Sequence, residues 1–552
     1  MVKAFFCGHE LPRYITCTNL VLIPKKKEIN TFSDLRPISL SNFTSRSIVE
    51  NILLVQEIVH DMRLRCKPAN VVIKLDMTGS HGYFLPRGVK QRDPLSPTLF
   101  ILASECMSRA LNYLHSKAKF RGFGMPKWSP YINHLAYADD TIIFSSAEED
   151  SLKLIMDTLA SYEAVSGQKV NKMKSAVFLH HNMTQEVEEK VFSITRIPRK
   201  EFSFTYLGVP IYYGRRMIAH YKEIIDKVFN RLNSWTGKLL SIGGRVTLIK
   251  HVLQSMPIHL LSACDPPAGV LSQIHRLFAK FFWSNSVGNS SKHWVTWTAL
   301  CYPQEEGGMG FKSLQDVSKA LFSKLWWNFR TKQSLWRMYM SNKYLKKEHA
   351  VTVQWKRETY IWRKLIQCRD IVEKEIWWQV KQSNSYFWLD NWTSLGELYQ
   401  ILPSDFNIDK TLIQTKEMGN GEGWDEQRLR ELLTGNIVDH IIQSVSPLSC
   451  NDTLDRPYWK LDTGGKFTVK TAFNLVRQRE EPSILYRKFW IKGLPVKISF
   501  FSWILWKAKV PLDDVVKKWG IQFPSRCYCY ENPEMETNWS KREVKPNRAL
   551  CR

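Results

Sequence analysis

The chain has 552 residues, of which 44% are hydrophobic and 24% are charged. These fractions are typical of a globular protein, and the length predicts three or four domains rather than one. Lysine and arginine number 78 against 52 aspartate and glutamate, which gives a formal net charge of +26. A surplus of this size favours a polyanion such as nucleic acid over an acidic small molecule as the partner.

Eleven cysteines are scattered along the chain without regular spacing. An odd number in a long chain argues against a secreted disulfide framework and predicts an intracellular, reducing compartment. No segment approaches the ~18 uncharged apolar residues of a spanning helix, and the first apolar stretch is too short for a signal peptide. We therefore expect a soluble protein with no membrane partner.

The first clear element is a β-branched run, Val71 to Leu75, that ends in one carboxylate, Asp76. Such a run predicts a buried strand that delivers an acidic side chain. The segment Gln91 to Pro97 is punctuated by proline and predicts a loop, and the residues from Thr98 to Leu114 have a helical pattern.

Tyr137-Ala138-Asp139-Asp140 stands between two apolar, β-rich runs, 131–136 and 141–144. Both flanks predict strands, so the two aspartates lie at the bend of a hairpin. Adjacent carboxylates suit Mg²⁺, which prefers hard oxygen ligands. Alone, the pair is more often a turn or helix-cap pair, whose side chains accept hydrogen bonds from nearby backbone N–H groups, than a metal site.

Farther along, the patterns predict an amphipathic helix from Tyr221 to Leu240 and a loop at Gly419 to Gly423. A polar stretch from Gln443 to Arg456 indicates a domain boundary. Lys466 to Val469 has a strand-like pattern, and the aromatic run Phe500 to Lys507 predicts a buried helix.

In this order, the strand with Asp76, the loop and helix after Gln91 and the Asp139-Asp140 hairpin resemble motifs A, B and C of a reverse transcriptase palm. Further segments resemble the non-LTR, or LINE-type, retrotransposon reverse transcriptases of plants. Leu22 to Lys25 and Asp34 to Leu40 resemble the fingers, Ser166 to Asn171 with Lys174 resembles motif D, and Tyr206 to Pro210 resembles the primer grip. Leu240 to Arg245 and Glu306 to Phe311 resemble thumb and connecting segments. Trp459 to Phe473 and Phe489 to Trp503 resemble the start of a zinc-binding module.

The resemblance implies an α+β fold: right-hand polymerase fingers and palm with an antiparallel palm sheet, a mostly helical thumb and connecting region, and a small α+β C-terminal module. The implied domains are incomplete fingers and palm at 1–180, the primer grip, thumb and start of the connecting region at 181–300, a helical, tryptophan-rich, basic connecting region at 301–450, a degenerate zinc-binding module at 455–530 and a tail at 531–552.

The implied activity is RNA-directed DNA synthesis, with nucleotidyl transfer from a dNTP to a DNA primer 3′-OH on an RNA template. Asp76, Asp139 and Asp140 would hold two Mg²⁺ ions, with Mn²⁺ as an alternative, and Lys174 would be a catalytic proton donor to pyrophosphate. The implied nucleotide- and template-binding residues are Lys25, Arg36, Gln91, Pro94, Tyr137 and Ala138, and the implied primer grip is Tyr206, Leu207 and Gly208. Nuclear localisation follows from the family, whereas the oligomeric state is left open.

The chain departs from the family pattern at three points. Only the 14 residues 77–90 separate Asp76 from Gln91, and Arg92 replaces a glycine. Near the C-terminus, Cys527 and Cys529 have only one residue between them. Together with Cys551 they supply three ligands, whereas a structural zinc site needs four. We therefore expect a truncated, internally deleted copy that binds no zinc.

Two other interpretations stay open. The first is a catalytically inactive retrotransposon remnant that retains at most nucleic-acid binding. The short segment after Asp76 favours this inactive remnant over an active polymerase. The second is a splicing factor similar to group II intron maturases, which shares the palm and the basic charge. The Gly243-Gly244-Arg245 segment and the aromatic C-terminal module argue against the maturase.

Overall fold

The computed structural model describes residues 19–24, 35–40, 47–63, 69–78, 96–137, 140–166, 168–236, 240–284, 293–346, 348–354, 359–381, 385–403, 412–419, 423–445, 455–491, 493–507 and 509. Contacts divide the chain into two compact units. The first unit comprises residues 1–215 with 332–353, and the second comprises 216–331 with 354–552. Antiparallel strands and many helices confirm the expected mixed α+β class.

The first unit is built on antiparallel strands. They are β1 (Asn19–Pro24), β2 (Leu35–Leu40), β3 (Asn70–Thr78), β4 (His134–Tyr137), β5 (Asp140–Ser146), β6 (Lys169–Val170), β7 (Ala176–Leu179), β8 (Phe204–Tyr206) and β9 (Val209–Ile211). β1 pairs with β2, and β8 pairs with β9. The central sheet has the order β4-β5-β3-β6, and β7 also pairs with β3. β3 is therefore the inner strand, with β5 along one edge and β6 and β7 along the other.

Helices of the first unit lie between these strands and in the returning segment 332–353. They are α1 (Ile48–His60), α2 (Ser96–Tyr113), α3 (Glu149–Ser166), α4 (Gln185–Thr195) and, from the returning segment, α11 (Leu335–Met340). In α3 the buried residues Leu152, Ile155, Leu159 and Tyr162 recur at intervals of three and four. This period puts them on one helix face, which packs in a core with Val71 and the other apolar side chains on its side of β3.

A buried charge network joins the returning segment to α1. The Lys343 ammonium lies 3.0 Å from a carboxylate oxygen of Glu57 and 2.8 Å from one of Asp61. Tyr339 donates its hydroxyl proton to Asp61 at 2.9 Å, and Tyr344 donates to Glu57 at 2.5 Å. Burial raises the pKa of Asp61, although the Lys343 ammonium acts in the opposite direction. Each carboxylate is thus paired, as burial requires.

The described residues of the second unit up to Val372, which lie in 216–331 and 354–372, are mainly helical. Its helices there are α5 (Lys222–Thr236), α6 (Ile242–His251), α7 (Ile258–Ala263), α8 (Ala268–Trp283), α9 (Trp297–Cys301), α10 (Leu314–Thr331) and α12 (Tyr360–Val372). The predicted helix from Tyr221 is confirmed as α5, which ends at Thr236 just before Gly237. The imidazole Nε2 of His275 accepts the Leu314 N–H at 3.1 Å, and burial lowers the pKa of His275 to about 4.

A glycine-rich turn after α9 contacts the C-terminal part of the second unit. Gly308 donates its N–H to the Pro303 carbonyl at 3.0 Å, and Gly310 donates to the Tyr302 carbonyl at 2.8 Å. Trp503 donates its indole N–H to the Gly307 carbonyl at 2.9 Å. A Cβ at position 308 would lie 2.0 Å from the Tyr302 carbonyl oxygen, so only glycine fits there.

Beyond α12 the second unit contains one described strand pair and short helices. Strand β10 (Ile376–Gln379) pairs with β11 (Arg456–Trp459), and the helices are α13 (Leu398–Ile401), α14 (Glu426–Leu432), α15 (Gly435–Ser444), α16 (Val469–Val476), α17 (Ile484–Phe489) and α18 (Val496–Trp506). No helix in the described parts of the chain is both long and apolar enough to span a bilayer.

Two predictions in this region need correction. The strand predicted at Lys466 to Val469 is wrong, because Thr468 caps α16 with its hydroxyl and the helix begins at Val469. The helix predicted around Phe500 is confirmed as α18, but it is only partly buried. Trp503 is fully buried, whereas the Phe501 side chain is 57% exposed.

Candidate active site

One row of side chains crosses the central sheet at the end that carries the predicted carboxylates. Asp76 on β3 lies directly opposite Asp140 on β5, and Asp140 lies opposite Tyr137 on β4. Directly opposed residues have Cβ atoms ~4.5–5.5 Å apart and project from the same face. Two carboxylates that are 64 residues apart in the chain are therefore neighbours at the surface of the sheet.

Strand alternation assigns the faces of the sheet. Leu75 and Ile73 belong to the core on one face, so Asp76 and Lys74 project from the other. Asp76 is half-buried, and the Asp140 side chain is 36% exposed. Both carboxylates are thus held by a rigid sheet while remaining accessible to solvent.

A turn after β6 fixes the backbone on either side of Asp76. Asp76 donates its N–H to the Ser175 hydroxyl at 3.0 Å, and its carbonyl accepts the Asn171 N–H at 2.9 Å. Ser175 in turn donates its hydroxyl proton to the Asn171 carbonyl at 2.8 Å. Lys174 lies on this turn with an exposed side chain, and its N–H donates to Asn171 at 3.2 Å.

The residues predicted as a primer grip form a tight hairpin, which we call the 204–211 hairpin. Tyr206 pairs with Val209, so Leu207 and Gly208 are the two turn residues. Their φ values of 47° and 78° are both positive, as a type I′ turn requires. The Tyr206 side chain is fully buried, which anchors the hairpin.

Lys74 connects this hairpin with the carboxylate row. Its Nζ donates to the Thr205 carbonyl at 2.8 Å and lies 3.7 Å from Asp140 Oδ1. The Lys74 and Asp140 side chains are each about one third exposed, so solvent screens their ion pair to less than ~1 kcal/mol. The shorter contact with the hairpin carbonyl is the stronger constraint on the ammonium.

Several predicted residues cannot be placed. Lys25, Gln91, Pro94, Ala138 and Asp139 lie outside the described residues. Arg36 lies on β2 with its backbone opposite Ile23, and its side chain is not described. The structure therefore brings Asp76, Asp140 and Tyr137 together and puts Tyr206, Leu207 and Gly208 on one hairpin.

The chemistry of the carboxylate row fits a divalent cation. Asp76 and Asp140 supply two negative charges on one face, and Lys74 supplies one positive charge beside them. Partly exposed carboxylate oxygens at the end of a sheet suit Mg²⁺, which completes its coordination with water and phosphate oxygens. The described residues contain no set of three or more acidic, histidine or cysteine side chains arranged for a metal ion.

Three contributors to this site were not predicted from the sequence, namely Lys74, Asn171 and Ser175. A signal for Lys74 was present, because it precedes Asp76 by two residues and so projects from the same face of β3. For Asn171 and Ser175 the motif D resemblance indicated the segment, but their contacts with Asp76 depend on folding across nearly a hundred residues.

Family models match two parts of the chain. Residues 56–211 match the model described as reverse transcriptase (RNA-dependent DNA polymerase), a range that includes β3 to β9 with Asp76 and Asp140. Residues 467–539 match the model described as zinc-binding in reverse transcriptase. The resemblance to a reverse transcriptase and to its C-terminal module is confirmed by these two matches.

Curated relatives point the same way. A protein named as a ribonuclease H protein of Arabidopsis thaliana is 30% identical over 55% of this chain and 48% of its own length. A protein of transposon TX1 of Xenopus laevis is 27% identical over 44% of the chain and 18% of its length. The retrovirus-related Pol polyprotein from a type-2 retrotransposable element of Drosophila melanogaster is 28% identical over 43% of the chain and 22% of its own length. The chain thus spans about half or less of each relative.

The match at 467–539 bears on the zinc expectation. It includes Cys527 and Cys529, which lie outside the described residues. The expectation that this module binds no zinc therefore stays a prediction. Residues 56–211 are thus similar to RNA-directed DNA polymerases, and residues 467–539 are similar to the zinc-binding module of reverse transcriptases.

Proposed function

We propose that the chain is the reverse transcriptase of a plant LINE-type, non-LTR retrotransposon. The relatives from a transposon and a retrotransposable element support the mobile-element origin, and the Arabidopsis relative supports the plant lineage. The net charge of +26 supports RNA template and DNA primer as partners. A nuclear location follows from copying at a chromosomal target.

The reaction is nucleotidyl transfer. The primer 3′-hydroxyl loses its proton to solvent while its oxygen forms a bond to the α-phosphorus of a dNTP. The bond from that phosphorus to the oxygen bridging to the β-phosphate breaks, and pyrophosphate leaves with that oxygen. Bound Mg²⁺ would supply charge neutralisation at the attacking and leaving oxygens. The single observation that carries the proposal is the register that puts Asp76 opposite Asp140.

In this proposal each residue has a positional role. Asp76 and Asp140, with Asp139, hold the divalent cations, and Lys174 gives a proton to the leaving pyrophosphate. The Leu207-Gly208 turn braces the primer end. Nearly all the catalysis comes from holding these charges in place, so a shift of ~1 Å costs ~10²-fold in rate.

Primer extension on an RNA template tests the proposal. The full chain should incorporate dNTPs in a Mg²⁺-dependent manner, and Asp139→Ala should reduce the rate by at least ~10²-fold. Asp157→Ala is the matched control, because Asp157 is an exposed aspartate on α3, and its activity should equal that of the wild type.

The alternative is an inactive remnant that binds nucleic acid. One observation favours it, namely that only 14 residues separate Asp76 from Gln91. That interpretation predicts RNA binding with no incorporation at any Mg²⁺ concentration. The same assay, accompanied by a filter-binding measurement on the same RNA, separates the two functions.

A further inference from the structure

The position of Lys74 on the sheet is unusual for a lysine. It lies on the inner strand β3, with Ile142 opposite on one side and Ala176 opposite on the other. Both neighbours are buried, as is Val72 on the same face. Lysine is seldom selected at the centre of a sheet, because its charge is costly to desolvate.

The ammonium is compensated by groups from two elements. It donates a hydrogen bond to the Thr205 carbonyl of the 204–211 hairpin, and it forms an ion pair with Asp140, the first residue of β5. The surface ion pair contributes too little to explain a lysine here. A hydrogen bond from a charged donor is stronger than one between neutral groups, so the Thr205 contact contributes more.

The 204–211 hairpin lies over the same face of the sheet. Phe204 stacks on Phe178 of β7 with ring centroids 4.3 Å apart. Phe178 is opposite Val72, which shares its face with Lys74 and Asp76. Phe204 and Lys74 thus attach β8 to the sheet at two points, one apolar and one charged.

We infer that Lys74 is a positioning residue, whose ammonium holds the 204–211 hairpin beside the Asp76–Asp140 row. The hairpin and the carboxylates then move as one body, so the primer end and the acidic row keep a fixed separation. This inference rests on the proposed function, because it assigns Lys74 a role in placing the primer that reaction uses.

Two neutral substitutions remove the charge in different ways. Lys74→Met keeps most of the aliphatic stem, and Lys74→Gln keeps a shorter polar side chain. Lys74→Arg keeps the charge and serves as the rescue variant. Lys153→Met is the matched control, because Lys153 is a helix-surface lysine paired with Glu149 at 2.7 Å.

The first readout is independent of catalysis. Hydrogen–deuterium exchange of the full chain should rise roughly tenfold in peptides covering 204–211 in the methionine and glutamine variants. Peptides covering β5 should be unchanged, and Lys74→Arg and Lys153→Met should resemble the wild type. Unchanged exchange at 204–211 in both neutral variants would overturn the inference.

The second readout is binding of an RNA–DNA primer–template with a recessed 3′ end, followed by fluorescence anisotropy. The neutral variants should weaken binding of this duplex severalfold while leaving that of a blunt duplex unchanged. Equal weakening of both duplexes, or of neither, would contradict a positioning role. If the wild type binds but does not extend primers, the proposed function fails, whereas the inference is still judged by these two readouts.

Discussion

The substitution Gly308→Ala is expected to destabilise the second unit strongly. The new Cβ would lie 2.0 Å from the carbonyl oxygen of Tyr302 and 2.6 Å from its carbonyl carbon. Both atoms belong to the backbone, so no side chain can rotate away. The Tyr302 carbonyl must move by about 1 Å, which breaks its 2.8 Å hydrogen bond from Gly310.

The magnitude follows from two effects. Overpacking of this kind costs about 1–3 kcal/mol, and the lost backbone hydrogen bond adds about 1 kcal/mol. A total near 3 kcal/mol raises the population of the open form by roughly 10²-fold, since ~1.4 kcal/mol is tenfold.

Native-state proteolysis measures this population directly. When reclosing is faster than cleavage, the cleavage rate follows the fraction of open molecules. Gly308→Ala should therefore be cut ~10²-fold faster in residues 293–311, with little change within β5 of the first unit. The control is Gly435→Ala, because no atom lies within 4 Å of a Cβ there and alanine favours the helix. Equal resistance of Gly308→Ala and the wild type would refute the steric argument.

Three further predictions concern other parts of the chain. Burial lowers the pKa of His275 to about 4, so the folded protein binds fewer protons than the unfolded chain between about pH 4 and pH 6.5. The urea midpoint of the second unit should therefore fall as the pH drops from 6.5 towards 4, and His275→Gln should remove this part of the pH dependence. Lys343→Met leaves Glu57 and Asp61 buried without their cation. Hydrogen–deuterium exchange in residues 332–353 should show that the free energy of opening falls by about 3–5 kcal/mol, and a fall below ~1 kcal/mol would contradict the charge network. Thr468→Ala removes the cap of α16 and should cost about 1 kcal/mol, measured by exchange at its first turn; an unchanged rate there would count against the cap.

Local patterns predicted the elements around the site well. The β-branched run before Asp76 predicted β3, and the strand-like runs around Asp139-Asp140 predicted β4 and β5. Asp140 was expected in the bend, but it is the first residue of β5 and pairs with Tyr137. These elements follow from side-chain alternation within a few residues, which a sequence displays directly. The family resemblance then indicated that the two acidic segments meet.

Such local patterns did not predict contacts between residues that are far apart in the chain. Nothing near Lys74 in the chain indicates that its partner is Thr205, 131 residues later. Likewise, the return of 332–353 to the first unit depends on Lys343 and the carboxylates of α1, which sequence spacing does not connect. The wrong strand at Lys466 to Val469 arose because alternation over four residues is too short to outweigh a threonine cap.

Asp76 and Asp140 are expected to form one cation-binding row. Titration of Mn²⁺ into the full chain, followed by the electron paramagnetic resonance signal of the free ion, tests it without requiring catalysis. Asp76→Asn should weaken Mn²⁺ binding by about tenfold or more, whereas Asp157→Asn, on the exposed surface of α3, should leave it unchanged. Equal Mn²⁺ affinity in Asp76→Asn and the wild type would contradict it.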